Sequence, residues 1–140
     1  MIEKEKIAVK RISHVYRTDA WGKTDQPAFL NIAAEVQSDL NPEELLGCVI
    51  NIEKAMGRTR DEKWGPRIID IDILFFGNEI IALTDLEIPH PGISSRNFVL
   101  VPMNDIAPEF FHPVLKKTMA TLLEECPDRS GYTNEGALTR

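Results

Sequence analysis

Two aspartates, one residue apart, are the part of this sequence best suited to chemistry. Asp70 and Asp72 flank Ile71 within residues 68–76, an apolar run typical of a β-strand. Because alternate residues of a strand share a face and lie about 7 Å apart, both carboxylates should point to one side. Such a pair can bind divalent cations. The simpler alternative is a solvated strand face that happens to carry two acids.

The loop before the aspartates favours phosphate chemistry over that alternative. Residues 58–67 carry only two acids, Asp61 and Glu62, in a chain whose formal net charge is −6. Against them stand four cations, namely Arg58, Arg60, Lys63 and Arg67. A polyphosphate with its magnesium needs guanidinium groups for the phosphate oxygens and carboxylates for the metal. Salt bridges confined to the loop are the alternative interpretation of these charges.

A second candidate site is aromatic. Residues 29–37 alternate with period two, which puts Phe29 and Asn31 on one face of a predicted strand. The opposite face, expected to be buried, carries Leu30, Ile32, Ala34 and Val36. A flat ring beside an amide suits a planar heterocycle, which the ring stacks on and the amide recognises at its edge. The alternative is a buried phenylalanine beside a surface asparagine.

Four more residues extend these two candidate sites. Trp64 lies in a polar loop and is a candidate lid, whereas Phe98 by itself is most simply a helix core residue. His90 lies in a rigid Pro-His-Pro segment six residues before Arg96, so both side chains are candidates for contacting a phosphate. A solvent-exposed histidine is the alternative for His90.

The elements that must position these side chains follow from periodicity and caps. Strands are predicted over residues 7–17, 29–37, 68–76 and 79–81, and helices over residues 41–57, 96–103 and 119–125. Asn41 and Glu44 form a capping-box pattern, and Gly77-Asn78 is a hairpin signal. This order predicts an α+β fold with an antiparallel sheet and helices packed on it.

Length and composition set the broader class. The chain has 140 residues, of which 43% are hydrophobic and 27% charged, as in a single globular domain. Its acidity opposes a nucleic-acid partner, its apolar runs are too short for a membrane span, and its two cysteines predict no disulfide scaffold. We therefore expect a cytoplasmic domain over residues 1–127 and a disordered polar tail over residues 128–140.

Residues 63–74 (KWGPRIIDIDIL) resemble the signature of the 6-hydroxymethyl-7,8-dihydropterin pyrophosphokinases of folate biosynthesis. Shorter matches surround it in the family's order, at residues 15–18 (VYRT), 25–27 (DQP), 29–31 (FLN), 57–60 (GRTR), 88–91 (IPHP), 96–100 (RNFVL) and 105–108 (DIAP). The resemblance implies a ferredoxin-like plait. It also implies transfer of pyrophosphate from ATP to the hydroxymethyl oxygen of the pterin, with release of AMP.

The resemblance implies roles for single residues as well. The catalytic set would be Arg58, Arg60, Arg67, Asp70 and Asp72, with the two aspartates holding two Mg²⁺ ions. The ATP contacts would come from Glu53, Arg67, Ile73, His90 and Arg96. The pterin contacts would come from Phe29, Asn31, Trp64 and Phe98, so that Phe98 becomes a stacking partner on the family's evidence alone.

The sequence departs from the family pattern at its start. Members begin with a strand, a Gly-Ser-Asn loop and a helix, and residues 1–6 resemble only the end of that helix. Because that strand is central in the plait, we expect its neighbours to pair differently, or another chain to supply the missing strand. In the second case a protein that the resemblance implies to be a monomer would self-associate. Besides an active enzyme, the hypotheses are a catalytically incompetent fragment and a ferredoxin-like ligand-binding module derived from it.

Overall fold

The computed structural model describes residues 7–18, 29–57 and 70–138. Its strands are β1 (Ile7–Ile12), β2 (Val15–Thr18), β3 (Phe29–Asn31), β4 (Ala34–Ser38), β5 (Ile81–Leu83), β6 (Leu86–Ile88) and β7 (Tyr132–Gly136). Its helices are α1 (Pro42–Gly57), α2 (Asn97–Ile106) and α3 (Met119–Glu125). Helices and antiparallel strand pairs together confirm the predicted α+β class. The chain divides into a first unit, Met1–Ile7 with Ser38–Pro91, and a second unit, Ala8–Gln37 with Gly92–Arg140.

In the first unit, α1 begins at the predicted capping box. The Asn41 side-chain oxygen accepts a hydrogen bond from the Glu44 N–H at 2.8 Å, and the Glu44 carboxylate accepts one from the Asn41 N–H at 2.9 Å. This reciprocal arrangement satisfies two donors that the first turn leaves unpaired. Leu45 and Val49 are buried on one face, and the predicted helix is confirmed.

Residues 70–75, which also belong to the first unit, form no strand, and the strand predicted over residues 68–76 is wrong for this part. The turn at Gly77-Asn78 is present, with Gly77 at a φ of 57° and a bond from the Glu79 N–H to the Phe76 carbonyl. The hairpin lies further along, where β5 pairs antiparallel with β6. Apolar alternation indicates which face of a segment is buried, but it does not identify a pairing partner.

In the second unit, β2 is the central strand of a three-stranded sheet, between β3 and β7, while β1 pairs with β4 separately. Each of the two long predicted strands is therefore interrupted once. Ser13 and Ala33 lie at these interruptions and bind each other: the Ser13 N–H donates to the Ala33 carbonyl at 2.9 Å, and the Ala33 N–H donates to the Ser13 hydroxyl at 2.9 Å.

The predicted inward face of residues 29–37 is wrong. Leu30 is 65% exposed, Ile32 44% and Val36 40%, and Ala34 is exposed too, whereas Ala33 is buried. The chain leaves one sheet and enters another at residues 32–33, so a single alternation does not continue through both strands. A shift of one residue in such a pattern moves every side chain to the other face.

Helix α2 continues past Pro102 to Ile106, three residues beyond the predicted end. Pro102 removes one helical N–H donor, but its ring is fully buried and contributes to packing. Helix α3 has the predicted bounds, and the hydroxyl of Thr118 accepts a hydrogen bond from the Thr121 N–H at its start. Among the residues described, none of the helices is both long and apolar enough to cross a membrane.

Strand β7 corrects the expectation that residues 128–140 form a disordered tail. It pairs antiparallel with β2, and Tyr132 meets Tyr16 edge to face, with ring centroids 5.9 Å apart. Residues 132–135 are all exposed, so the strand has no buried face and no alternation that would reveal it in the sequence. Its backbone hydrogen bonds to β2 hold it in place instead.

Candidate active site

Asp70 and Asp72 lie on irregular backbone in the first unit, yet the predicted alternation of their segment is kept. Both aspartates are exposed, while Ile71 and Ile73 are half-buried. The burial of the isoleucines therefore anchors the segment, and the carboxylates are accessible to ions from solution. This is the distribution that the sequence predicts for a cation-binding pair, although regular strand pairing does not produce it.

Helix α1 fixes the backbone between the two aspartates. The Glu53 Oε2 atom accepts a hydrogen bond from the Ile71 N–H at 2.6 Å, and Glu53 is half-buried. A carboxylate acceptor makes this bond stronger than one between neutral groups. One oxygen of Glu53, for which the resemblance implies a nucleotide contact, thus holds the aspartate segment. Sequence reasoning missed this role, because no local pattern links residues 18 positions apart.

His90 approaches one of the two aspartates, Asp72. Its Nε2 lies 3.9 Å from Asp72 Oδ1, and its Nδ1 lies 2.7 Å from the Pro91 carbonyl oxygen. Because a carbonyl oxygen only accepts, Nδ1 carries a hydrogen and Nε2 faces the carboxylate. The His90 N–H also donates to the Leu74 carbonyl at 2.9 Å. The structure therefore brings Asp72 and His90 together, and we call Asp70, Asp72 and His90 the acidic group.

The donors of the acidic group fit Mg²⁺. This ion prefers oxygen ligands and is usually held by one or two carboxylates together with substrate phosphates. Within residues 7–18, 29–57 and 70–138, no three His, Cys, Asp or Glu side chains form a group that could hold a metal ion by themselves. Because proteins usually hold Mg²⁺ with one or two carboxylates beside a substrate polyphosphate, Asp70 and Asp72 suit an ion that arrives with one.

Phe29 and Asn31 lie on β3 in the second unit. Phe29 is 60% exposed and Asn31 is half-buried, and their spacing puts both on one face of the strand. The alternative of a buried phenylalanine is therefore wrong. An exposed ring beside a partly covered amide is an arrangement that can stack on a flat ligand and recognise its edge.

Phe98 is not a core residue, contrary to its simplest interpretation from the sequence. It is 38% exposed at the start of α2, and the guanidinium carbon of Arg96 lies 5.9 Å from its ring centroid, within cation–π range. Arg96 also lies close to Gly92, where a Cβ atom would be only 3.4 Å from the Arg96 Nε. We call Phe29, Asn31, Arg96 and Phe98 the aromatic group.

Tyr16 is the neighbour of Asn31 in the sheet register. Burial raises the pKa of the Tyr16 hydroxyl, and the Asp105 carboxylate raises it further. At neutral pH the hydroxyl is protonated and uncharged.

Four predicted site residues lie outside the described residues, namely Arg58, Arg60, Trp64 and Arg67. Ile73 is described and half-buried in the aspartate segment. The roles that the resemblance implies for these five residues stay predictions.

Comparison with known proteins agrees with the resemblance. The family model of 7,8-dihydro-6-hydroxymethylpterin-pyrophosphokinase matches residues 1–108. A protein of Aquifex aeolicus (strain VF5) named 2-amino-4-hydroxy-6-hydroxymethyldihydropteridine pyrophosphokinase is 41% identical over 115 residues, which are 82% of this chain and 72% of that protein. The protein of the same name from Bacillus subtilis (strain 168) is 46% identical over 100 residues, 71% of this chain and 60% of that protein.

A third relative, the folic acid synthesis protein FOL1 of Dictyostelium discoideum, is 40% identical over 126 residues, which are 90% of this chain but 19% of that protein. The chain thus spans less than two thirds of the length of the Bacillus and Dictyostelium relatives. Its α+β structure is consistent with the ferredoxin-like plait that the resemblance implies. On the extent of these matches, the chain belongs to the 7,8-dihydro-6-hydroxymethylpterin-pyrophosphokinase family.

Proposed function

We propose that this chain transfers pyrophosphate from ATP to the hydroxymethyl group of 6-hydroxymethyl-7,8-dihydropterin, in folate biosynthesis. The observation that carries the proposal is the acidic group, in which two exposed aspartates lie on a segment held by Glu53 and His90 lies beside Asp72. Relatives that bear the enzyme's name support the choice of substrates.

In the proposed reaction the pterin hydroxyl oxygen bonds to the β-phosphorus of ATP. The bond from that phosphorus to the oxygen bridging the α- and β-phosphates breaks, the hydroxyl loses its proton, and AMP leaves. The protein's contribution is positioning and charge neutralisation, because no covalent enzyme intermediate is needed.

The acidic group would act on the triphosphate. Asp70 and Asp72 would hold two Mg²⁺ ions, which neutralise phosphate charge when bound. The contact of its Nδ1 with the Pro91 carbonyl leaves the Nε2 of His90 available for a phosphate oxygen. Further charge neutralisation would come from Arg58, Arg60, Arg67 and Arg96, and nucleotide contacts from Glu53 and Ile73.

The aromatic group would bind the pterin. Phe29 and Phe98 would stack on its faces, and the Asn31 amide would supply one donor and one acceptor to its edge. Trp64 would cover the bound ring. The exposure of Phe29 and Phe98 supports this role, because the free energy falls when a flat ligand covers apolar rings that are otherwise exposed to water.

The partners in this proposal are small molecules, namely ATP and the pterin. We infer a cytoplasmic enzyme that acts as a monomer and binds neither nucleic acid nor membrane. The net charge of −6 and the two free cysteines, Cys48 and Cys126, support this inference.

AMP formation from ATP and Mg²⁺, with and without the pterin, tests the proposal. We expect AMP only when the pterin is present. A weak thermal transition together with no AMP would support the incompetent-fragment hypothesis, whereas a sharp cooperative melt would count against it. Retention of oligonucleotides at physiological salt would support a binding module instead.

A further inference from the structure

Asn97, the first residue of α2, is hydrogen-bonded to residues 128–130, the segment that leads into β7. Asn97 is only 6% exposed, and both its main chain and its side chain donate hydrogen bonds to that segment. Its N–H donates to Asp128 Oδ2 at 3.2 Å, and its Nδ2 donates to the Ser130 carbonyl at 2.8 Å. Two bonds from one buried residue define its position more tightly than either bond alone.

Asp128 is itself fixed by the turn in which it lies. Its Oδ1 accepts hydrogen bonds from the Ser130 N–H at 2.9 Å and from the Ser130 hydroxyl at 2.6 Å, leaving Oδ2 for α2. These bonds lower the pKa of Asp128, so the carboxylate is charged at neutral pH. The pairing of Tyr132 with Thr18 then ties the turn to the central strand of the sheet.

The residues on either side of Asn97 are the exposed members of the aromatic group. Arg96 and Phe98 are both exposed and lie within cation–π distance of each other, while Asn97 between them is buried. The Arg96 carbonyl accepts bonds from the N–H groups of Val99 and Leu100, so Arg96 is also part of the first turn of α2. Whatever fixes Asn97 therefore fixes the backbone from which both side chains project.

We propose that Asp128 is a positioning residue for Arg96 and Phe98, acting through Asn97. The proposal rests on the proposed function, in which Arg96 contacts the triphosphate and Phe98 stacks on the pterin. The proposal assigns a role in ligand binding to residues 128–130. These residues lie beyond residue 108, where the match to the family model ends. Ligands bind more tightly to side chains that are already ordered, since less conformational freedom is lost on binding.

Asp128→Ala, with Glu124→Ala as matched control, tests this role. Glu124 is an exposed acid near the end of α3, so its removal changes the net charge equally and removes none of the hydrogen bonds between Asn97 and residues 128–130. In Asp128→Ala we expect KM for ATP and for the pterin each to rise about 10-fold. This is near the smallest effect expected when a hydrogen bond to a charged group is lost. The control should keep the parent values.

Conservative variants separate positioning from general destabilisation. Asp128→Asn keeps an oxygen that can accept from the Asn97 N–H, so we expect it to restore most of the lost affinity. Ser130→Ala removes one bond to Asp128 but leaves the two bonds of Asn97 in place, and its KM values should stay near those of the parent. Unchanged KM values in Asp128→Ala, assayed below its melting transition, would overturn the positioning role.

Amide hydrogen exchange provides a readout that needs no turnover. The amides of residues 97–100 should exchange faster in Asp128→Ala than in the parent, and Glu124→Ala should leave them unchanged. Unchanged exchange would overturn the proposal even in an active enzyme. If the parent forms no AMP but Asp128→Ala accelerates exchange, the proposed function is wrong, while the positioning of the start of α2 by Asp128 is supported.

Discussion

The acidic group and the aromatic group are held by different means. Asp70 and Asp72 lie on backbone that belongs to no strand, fixed by single bonds such as those from Ile71 to Glu53 and from His90 to Leu74. Phe29 and Asn31 lie on a strand paired in register with β2, and Phe98 lies in the first turn of a helix.

This difference matches what each group would bind. Ions and phosphates attract charged side chains over several ångströms and tolerate small adjustments, whereas a stacked ring requires contact surfaces at fixed separation. A segment that belongs to no strand also opens at lower free energy than one in a paired strand. We therefore expect substitutions in the acidic group to affect catalysis, and those in the aromatic group to affect pterin binding.

The largest effect is expected from the aspartates. Asp70→Asn and Asp72→Asn should each lower the rate of AMP formation about 10³-fold, because each removes a carboxylate that would hold the Mg²⁺ ions neutralising the phosphate charge. Both aspartates are exposed, so the melting temperature should change little.

Asp85→Asn, in the exposed turn between β5 and β6, is the matched control and should keep full activity. Parent-like activity in the Asp70→Asn, Asp72→Asn double variant would show that the acidic group has no catalytic role.

Glu53 should show the next largest effect. Glu53→Ala leaves the Ile71 N–H without its charged acceptor, so we expect a loss of about 2 kcal/mol of stability and a roughly 10-fold lower kcat. Glu53→Gln keeps an acceptor oxygen and should recover most of both quantities. Chemical denaturation and steady-state kinetics measure them. Suppose instead that both variants raise KM for ATP equally, while stability and kcat stay near the parent values. A direct contact with the nucleotide would then explain Glu53 better than positioning of the aspartate segment.

The aromatic group should show a smaller and more selective effect. Phe29→Ala and Phe98→Ala should each raise the Kd of the pterin about 10-fold, since stacking on an aromatic side chain contributes roughly 1–3 kcal/mol. The Kd of ATP should stay near the parent value, because neither ring is expected to touch the nucleotide. Titration calorimetry with each ligand gives both constants.

Phe111→Ala removes a phenylalanine that is 48% exposed and lies outside the aromatic group, so it serves as the control. An equal loss of pterin affinity in Phe111→Ala would indicate a general effect of removing surface rings.

The smallest expected effect concerns stability rather than either group. Burial lowers the pKa of His112 from its ordinary value of 6.5, and its Nδ1 accepts bonds from the N–H groups of Val114 and Leu115. Below about pH 6.5 the unfolded chain therefore binds more protons than the folded one. The contribution of neutral His112 to the free energy of unfolding should be fully present above this pH. It should be lost as the pH falls toward the lower pKa of the folded state.

Melting curves between about pH 7.5 and pH 5 measure this dependence. His112→Asn, whose amide oxygen can take the place of Nδ1 as acceptor, should flatten the curve within that window. An equally steep decline in His112→Asn would assign the effect to another group.

Local signals in the sequence predicted the parts of the fold that depend on neighbouring residues. The capping box of Asn41 and Glu44 and the bounds of α3 are confirmed, because caps and helical periodicity act within one or two turns. The strand prediction is wrong for residues 70–75, and β7 corrects the prediction of a disordered tail over residues 128–140. Both depend on which strands find partners, and the alternation of side chains carries no information on that.

The candidate site shows the same division. The residue types and spacing of Asp70 and Asp72 predicted an exposed pair, and the structure confirms that exposure. The supports were not predictable, because Glu53 reaches Ile71 from another element and Asp128 reaches Asn97 from 31 residues away. Phe98 became a ligand-binding candidate only through the family resemblance, since its position in a helix pattern resembles that of a core residue.

Following the phosphates of ATP tests the central claim most directly. With ATP labelled separately at the α-, β- and γ-phosphorus, Mg²⁺ and the pterin, we expect the β- and γ-labels in the pterin product and the α-label in AMP. Asp85→Asn should give the same distribution, and the Asp70→Asn, Asp72→Asn double variant should give no labelled pterin. A pterin product that carries only the γ-label, with ADP formed in place of AMP, would contradict pyrophosphoryl transfer by this chain.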